Sequence, residues 1–157
     1  MEEIKSLFES IRTKDIDKLK KLLEANPKLV KVKDMRGFTP LIFATYFDNE
    51  EATKLLVKHK APINDKDASG NTALIGVSFK GNTDFASYLI ENGAALNEVN
   101  KNGTTALTFA TQYNNVDIVK LLLNHKADTT IKDNEGKTAY DYALEKDFKE
   151  IADLLNL

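Results

Sequence analysis

The feature that most constrains this 157-residue chain is a glycine that recurs every 33 residues without a slip. A threonine follows each glycine two positions later, which gives four matched pairs: Gly37 and Thr39, Gly70 and Thr72, Gly103 and Thr105, Gly136 and Thr138. A fixed interval of this length indicates one supersecondary unit stacked several times. Such an array has a long surface and no central pocket. The interval therefore favours a protein that binds another macromolecule over one that turns over a substrate.

The interval divides the chain, without insertions, into five units that span residues 1–33, 34–66, 67–99, 100–132 and 133–157. Leucine occupies one late position in all of them: Leu23, Leu56, Leu89, Leu122 and Leu155. Another apolar residue stands four positions before each leucine, which is the spacing of one face of a helix. A second apolar stripe opens the middle units at Leu41, Leu74 and Leu107. Each unit is therefore predicted to contain two helices, with the first and last units as caps of a single domain, 1–157.

The residues between the two helices of each unit favour a tight turn. They are Asp15, Asp48, Gly81, Asn114 and Asp147. Glycine, asparagine and aspartate are the residue types that best tolerate a left-handed backbone. We therefore predict a left-handed residue at each of these five positions.

Composition agrees with a soluble, ordered protein and excludes several classes of function. The chain is 42% hydrophobic and 29% charged, with a net charge of -2, so it lacks the basic stripe that nucleic-acid binding needs. Cysteine is absent, which removes disulfides and thiolate metal sites. The acidic start, MEEI, is unlike a signal peptide, and no apolar run approaches the roughly 20 residues of a membrane span. These features predict a cytoplasmic monomer, although a leader cleaved from a precursor would leave no trace here.

Several segments resemble the ankyrin repeat family, and the resemblance extends over the whole chain. Residues 34–41, DMRGFTPL, resemble the D-x-x-G-x-T-P-L opening of that repeat, and residues 55–57 and 121–123 are similar to its L-L-L segment. Residues 61–64 and 93–97 resemble its G-A-D-V-N close. The resemblance implies an all-α solenoid of helix-turn-helix units, with β-hairpin loops at right angles to the helices. Lys60 and Lys126 stand where the family usually has glycine. Each should cost about 1 kcal/mol if the backbone there is left-handed.

No combination of residues indicates catalysis or a bound cofactor. His59 and His125, the only histidines, occupy the same repeat position two units apart, so we expect about 20 Å between them. That distance prevents them from sharing a metal ion or a proton. Glu51, Asp84 and Asp117 recur near the starts of second helices, where carboxylates complement the helix dipole. The chain is predicted not to be an enzyme and to need no metal or cofactor.

Aromatic residues supply the most informative cluster. When each repeat is numbered from its first residue, positions 5, 13 and 14 face the concave groove in the ankyrin family, and here they include Phe38, Tyr46, Phe47, Phe79 and Tyr113. Position 9, by contrast, is expected to serve packing, and the repeat positions of Phe8, Phe43 and Phe109 are predicted to lie in the core. The predicted partner-binding residues are Met35, Arg36, Phe38, Tyr46, Phe47, Phe79, Lys80, Gln112 and Tyr113. Tyr46 and Phe79 share position 13 in adjacent repeats, so we expect them about 10 Å apart on one surface.

Two interpretations of these aromatic residues remain open. They pack neighbouring first helices together, or they form a binding hot spot, since clustered aromatics rimmed by polar groups mark interaction surfaces. We predict a non-catalytic module that binds a protein partner through the groove, centred on the second and third repeats. The alternative is a regulatory or immunity-type inhibitor of a partner enzyme.

Overall fold

A computed structural model describes residues 1–157 and contains ten α-helices, one 3-10 helix and no strand. The helices are α1 (Glu2–Arg12), α2 (Ile16–Ala25), α3 (Pro40–Tyr46), α4 (Glu50–Lys58), α5 (Ala73–Lys80), α6 (Thr83–Glu91), α7 (Ala106–Gln112), α8 (Val116–Asn124), α9 (Ala139–Glu145) and α10 (Lys149–Leu155), and the 3-10 helix is Pro27–Lys31. Every predicted repeat therefore contains two helices, and the all-α prediction is confirmed.

The chain falls into two compact units, Met1–Ala73 and Leu74–Leu157. In the first unit α1 packs on α3 and α2 packs on α4, while in the second α7 packs on α9 and α8 on α6 and α10. First helices thus form one layer and second helices another within each unit. All five of the late leucines are buried: Leu23, Leu56, Leu89, Leu122 and Leu155.

The repeated threonine begins the first helix of its repeat. Thr39, Thr105 and Thr138 are N-caps whose hydroxyl oxygens accept a hydrogen bond from the backbone N–H three residues later. These bonds are 3.2, 3.1 and 3.3 Å long. They satisfy a donor that the first turn of a helix otherwise leaves without a partner, and each contributes about 1 kcal/mol.

Four of the five predicted turn residues have a left-handed backbone, and one prediction is wrong. Asp48, Gly81, Asn114 and Asp147 have φ values of 51, 82, 55 and 55°. In the first repeat the left-handed residue is Lys14, with φ 59°, and not Asp15. Helix α1 ends at Arg12, so the turn comes one residue earlier. Asp15 instead caps α2, because its side chain accepts a 3.0 Å hydrogen bond from the backbone N–H of Lys18.

The loops that join the repeats are closed turns without strands, which corrects the implied β-hairpins. Each loop begins with Asp or Asn, whose backbone N–H donates to the carbonyl four residues later: Asp34 to Phe38, Asp67 to Asn71, Asn100 to Thr104, Asp133 to Lys137. The side-chain Oδ1 of the same residue accepts from two backbone N–H groups of the turn in all four loops. The turn is too short to add a ladder of strand hydrogen bonds.

Both lysines in the usual glycine position have a left-handed backbone, so the condition for the expected cost is met. Lys60 has a φ of 62° and Lys126 a φ of 64°, at the ends of α4 and α8. A side chain with a Cβ atom is strained in this conformation by about 1–2 kcal/mol. Part of that strain is offset because a lysine restricts the unfolded chain more than a glycine does.

We therefore expect Lys60→Gly to stabilise the protein by about 0.5–1 kcal/mol, and Lys126→Gly to do the same. Urea denaturation followed by circular dichroism measures the change in the free energy of unfolding. Lys58→Gly, at the last helical residue of α4, is the matched control and should destabilise by up to about 1 kcal/mol. Equal effects of the Lys60 and Lys58 substitutions would contradict the strain argument.

Candidate functional site

Burial separates the predicted site residues from the packing residues of the same stripe. Ile42, Ile75 and Thr108, at position 9, are buried, as expected for side chains that pack between first helices. Three aromatic side chains at positions 13 and 14 stay about half exposed: Tyr46 at 49%, Phe79 at 46% and Tyr113 at 53%. Of the other predicted residues, Met35, Arg36 and Lys80 are exposed, whereas Phe38, Phe47 and Gln112 are half-buried.

In the first unit, four of the predicted residues and Phe43 form one group around a cation, which we call the Arg36 cluster (Arg36, Phe38, Phe43, Tyr46 and Phe47). The Arg36 guanidinium carbon lies 4.4 Å from the centroid of the Phe38 ring and 5.7 Å from those of Phe43 and Tyr46. The Phe38 and Tyr46 rings are 5.5 Å apart. Arginine over aromatic faces is a favourable cation–π arrangement. The cluster therefore holds a positive charge on an apolar platform.

Buried rings support the exposed ones from below. The Tyr46 ring contacts the Phe47 ring at 5.2 Å, Phe47 contacts Phe43 at 4.6 Å, and Phe43 contacts Phe8 at 5.0 Å. Phe8 and Phe43 are both buried. Edge-to-face and tilted ring pairs of this kind contribute about 0.5–1.5 kcal/mol each beyond the area they bury. The sequence assigned Phe8 and Phe43 to the core, and it gave no sign that they support the surface cluster.

In the second unit a smaller group, the Phe79 cluster, consists of Phe79, Phe109 and Tyr113. The Phe79 ring lies 4.5 Å from Tyr113 and 5.7 Å from Phe109, in edge-to-face geometry. Phe109, which the sequence assigned to the core, is only half-buried. It therefore contributes to the surface of the cluster as well as to packing.

An asparagine of the neighbouring repeat fixes the backbone under Phe79. The Asn115 amide nitrogen Nδ2 donates to the Ser78 carbonyl at 2.7 Å and to the Phe79 carbonyl at 3.4 Å. The Asn49 Nδ2 makes the corresponding bond in the first unit, 2.8 Å to the carbonyl of Ile11. These bonds anchor the C-terminal end of a first helix to the turn of the next repeat. Sequence reasoning missed them because asparagine at a helix start is explained by capping alone.

The last repeat carries charged groups at the positions that are aromatic in the second repeat. Lys137 Nζ lies 2.9 Å from Glu145 Oε1 and 5.4 Å from the centroid of the Tyr142 ring. The buried Tyr142 hydroxyl donates to Asp133 Oδ2, and this bond raises the Tyr142 pKa well above its ordinary value. Partial burial acts to raise the Asp133 pKa, but hydrogen bonds from Tyr142 and from backbone N–H groups outweigh it. The pKa of Asp133 therefore lies below its ordinary value of 3.8.

We expect Tyr142→Phe to lower the free energy of unfolding by about 1–2 kcal/mol near pH 7, because it removes a hydrogen bond to a charged acceptor. A raised folded-state pKa contributes stability that is complete below the unfolded pKa of about 10 and is lost as the pH rises beyond it. The difference between wild type and Tyr142→Phe should therefore shrink above pH 10. Urea denaturation from pH 7 to 11.5 tests this, and a constant difference would contradict it.

The structure adds two observations on chemistry and membranes. No group of three His, Asp or Glu side chains is arranged to hold a metal ion, and both histidines lie at helix C-caps. No helix combines the length and the apolar character that crossing a bilayer requires.

Paired helices that repeat every 33 residues and are joined by tight loops define a helical repeat protein. The chain matches the family described as ankyrin repeats (3 copies) over residues 7–100 and again over residues 75–156. It belongs to the ankyrin repeat family. No curated protein matches the sequence significantly. Ankyrin repeats are generally protein–protein interaction modules, and the family is typically non-catalytic.

Proposed function

We propose that this chain is a non-catalytic module that binds a protein partner through the Arg36 and Phe79 clusters. The observation that carries the proposal is the half exposure of Tyr46, Phe79 and Tyr113. Solvent-exposed aromatic clusters with polar neighbours are typical of interaction surfaces. We further propose that the protein acts as a cytoplasmic monomer without a cofactor.

The balance between packing and exposure supports binding over packing alone. A ring that serves only to seal neighbouring helices would be covered, as Ile42 and Ile75 are at position 9. Tyr46 and Phe79 instead contact other rings on one side and water on the other. Ring contacts hold these side chains in place before a partner arrives, so binding loses little side-chain entropy. Preorganised aromatic anchors of this kind are common hot-spot residues.

The test is affinity capture from the source cell, followed by titration of the captured partner. Tyr46→Ala and Phe79→Ala should each weaken binding by about 1–3 kcal/mol, which is the range for hot-spot residues. Gln112 has the same repeat position as Tyr46 and Phe79 but belongs to neither aromatic cluster. Gln112→Ala is therefore the matched control for the hot-spot rings, and although the sequence placed Gln112 in the groove, the dissociation constant should stay nearly unchanged. A captured enzyme that loses its activity in the complex would identify the protein as an inhibitor, which is the alternative function.

Thermal melting of the alanine variants, compared with two leucine variants, separates packing from binding as the role of the rings. Tyr46→Leu and Phe79→Leu keep apolar packing and lose the aromatic surface. Their melting temperatures should therefore be close to that of wild type, while their affinity for the partner should be reduced. If these variants bind like wild type while the alanine variants unfold at lower temperature, the clusters serve packing and the proposed site is wrong.

A further inference from the structure

Basic residues are concentrated in the loop that carries Arg36 and at the end of the 3-10 helix before it. Lys31, Lys33 and Arg36 stand there against a single carboxylate, Asp34, and Lys33 Nζ donates to the Lys66 carbonyl at 2.7 Å. Charge also differs between the two compact units. Residues 1–73 contain 14 Lys and Arg against 12 Asp and Glu, a net charge of +2, whereas residues 74–157 contain 8 against 12, a net charge of -4. An acidic partner is therefore attracted to the first unit and repelled by the second.

The Arg36 guanidinium is held in place with hydrogen-bonding capacity to spare. Asp34 Oδ2 accepts from Nε and Nη2, both at 3.3 Å. The other oxygen, Asp34 Oδ1, accepts from the backbone N–H groups of Arg36 and Phe38, each at 2.9 Å. A guanidinium has five N–H donors, so Asp34 uses two and three remain for another acceptor. The Arg36 side chain is half exposed and its guanidinium lies over the Phe38 ring, so those donors are accessible and the group is held in place.

Two exposed apolar side chains stand near this cation, one next to it in the chain and one next to it in space. Met35 precedes it at the loop tip and is fully exposed. Tyr46, whose ring is 5.7 Å from the guanidinium carbon, presents its exposed half nearby. A ligand that fits both features has to combine an anionic group with an apolar side chain.

We propose that the Arg36 cluster binds a protein segment in which an Asp or Glu side chain stands next to an aromatic or large aliphatic residue. The carboxylate accepts hydrogen bonds from the remaining guanidinium N–H groups, a geometry in which arginine can bind both oxygens. The neighbouring apolar side chain covers Tyr46 and Met35. This inference rests on the proposed function and adds the chemistry of the partner, which a general binding role does not specify.

The experiment selects a phage-displayed library of random 12-residue peptides on the full-length protein. We expect enriched peptides to carry Asp or Glu within two residues of an aromatic or large aliphatic residue. The tightest of these, synthesised with a fluorescent label, should bind at least tenfold more weakly to Arg36→Ala and several-fold more weakly to Arg36→Lys, because lysine lacks the planar fork. Raising the salt concentration from 50 to 500 mM should weaken its binding to wild type.

Matched controls make the result specific. Lys101→Ala removes an exposed loop-tip cation of the second unit and should change the affinity less than twofold. Because the Arg36 side chain is half exposed, replacing it should leave the core intact. A melting curve verifies that each variant is folded. Enriched peptides without an acidic residue, or peptides that bind Arg36→Ala and wild type equally, would overturn the inference. If such peptides depend on Phe79 or Tyr46, the proposed function survives. If no peptide is enriched, the inference is overturned, and the capture experiment with Tyr46→Ala and Phe79→Ala decides the proposed function separately.

Discussion

Replacing Gly103 by alanine is expected to lower the free energy of unfolding by about 3 kcal/mol. Gly103 has a φ of +73°, where a residue with a Cβ atom is strained by about 1–2 kcal/mol. The added Cβ would also lie 2.9 Å from Asn134 Oδ1 and 3.0 Å from the Asn134 backbone nitrogen. Relieving that overlap moves the next loop and weakens two hydrogen bonds of 2.9 Å, from Asn134 to the carbonyls of Lys101 and Asn102. Overpacking of this kind typically adds about 1–3 kcal/mol.

Gly136→Ala is the matched control for this prediction. Gly136 occupies the same repeat position and has nearly the same φ, +78°, but no atom lies within 4 Å of its added Cβ. Only the backbone strain remains, so we expect a loss of about 1 kcal/mol. Urea denaturation of both variants measures the difference between them. If they lose equal stability, the approach of the next loop does not explain the repeated glycine. Gly37→Ala should resemble Gly103→Ala, because its Cβ would lie 2.7 Å from the Ala68 backbone nitrogen.

The glycine interval shows how far the sequence could predict this fold. Its regularity predicted the repeat, its length and the pairing of helices, because these depend on local periodicity. It did not predict why glycine is needed. At Gly103 the reason lies partly in the positive φ, which glycine in a turn already suggests. It lies partly in the close approach of Asn134 from the next repeat, a contact that no local sequence pattern contains.

The two corrections have local causes. Asp15 was aligned with the other turn residues by counting, but the first repeat makes its turn one residue earlier, and the left-handed residue is Lys14. The β-hairpin loops came from the family resemblance alone. In this chain Asp34 and its counterparts close each loop with side-chain hydrogen bonds, and no strand ladder follows.

The sequence named most members of the candidate site but not the contacts between them. The ankyrin resemblance placed Tyr46, Phe79 and Tyr113 at groove-facing repeat positions, and these three rings are about half exposed. The stacking of Arg36 over Phe38 was not predicted, since it depends on how a loop folds back on a helix. That these residues bind a protein partner is a proposal, and the predicted separation of Tyr46 and Phe79 stays a prediction.

Asn49→Ala is expected to destabilise the protein by about 3 kcal/mol, because this one buried side chain has two functions. Its Oδ1 accepts a 3.0 Å hydrogen bond from the Ala52 N–H and caps α4, and loss of such a cap costs about 1 kcal/mol. Its Nδ2 donates to the Ile11 carbonyl of the preceding repeat at 2.8 Å. The asparagine is only 3% exposed, so an Ile11 carbonyl left without this donor costs a further 1–3 kcal/mol or so.

Two further variants separate the contributions of Asn49. Asn49→Ser keeps a good N-cap and loses the donor to Ile11, so it should cost about 1–2 kcal/mol. Asn115→Ala removes the corresponding donor to Ser78 in the second unit from a half-buried residue that makes no capping bond, so a similar loss is expected. The last repeat already lacks both contributions from a side chain at this position, because the N-cap of α10 is Phe148 and makes no side-chain capping bond. Urea denaturation of the three variants should rank Asn49→Ala as the least stable. If Asn49→Ser and Asn49→Ala prove equally destabilised, capping contributes nothing at this position and the bond to Ile11 carries the whole effect.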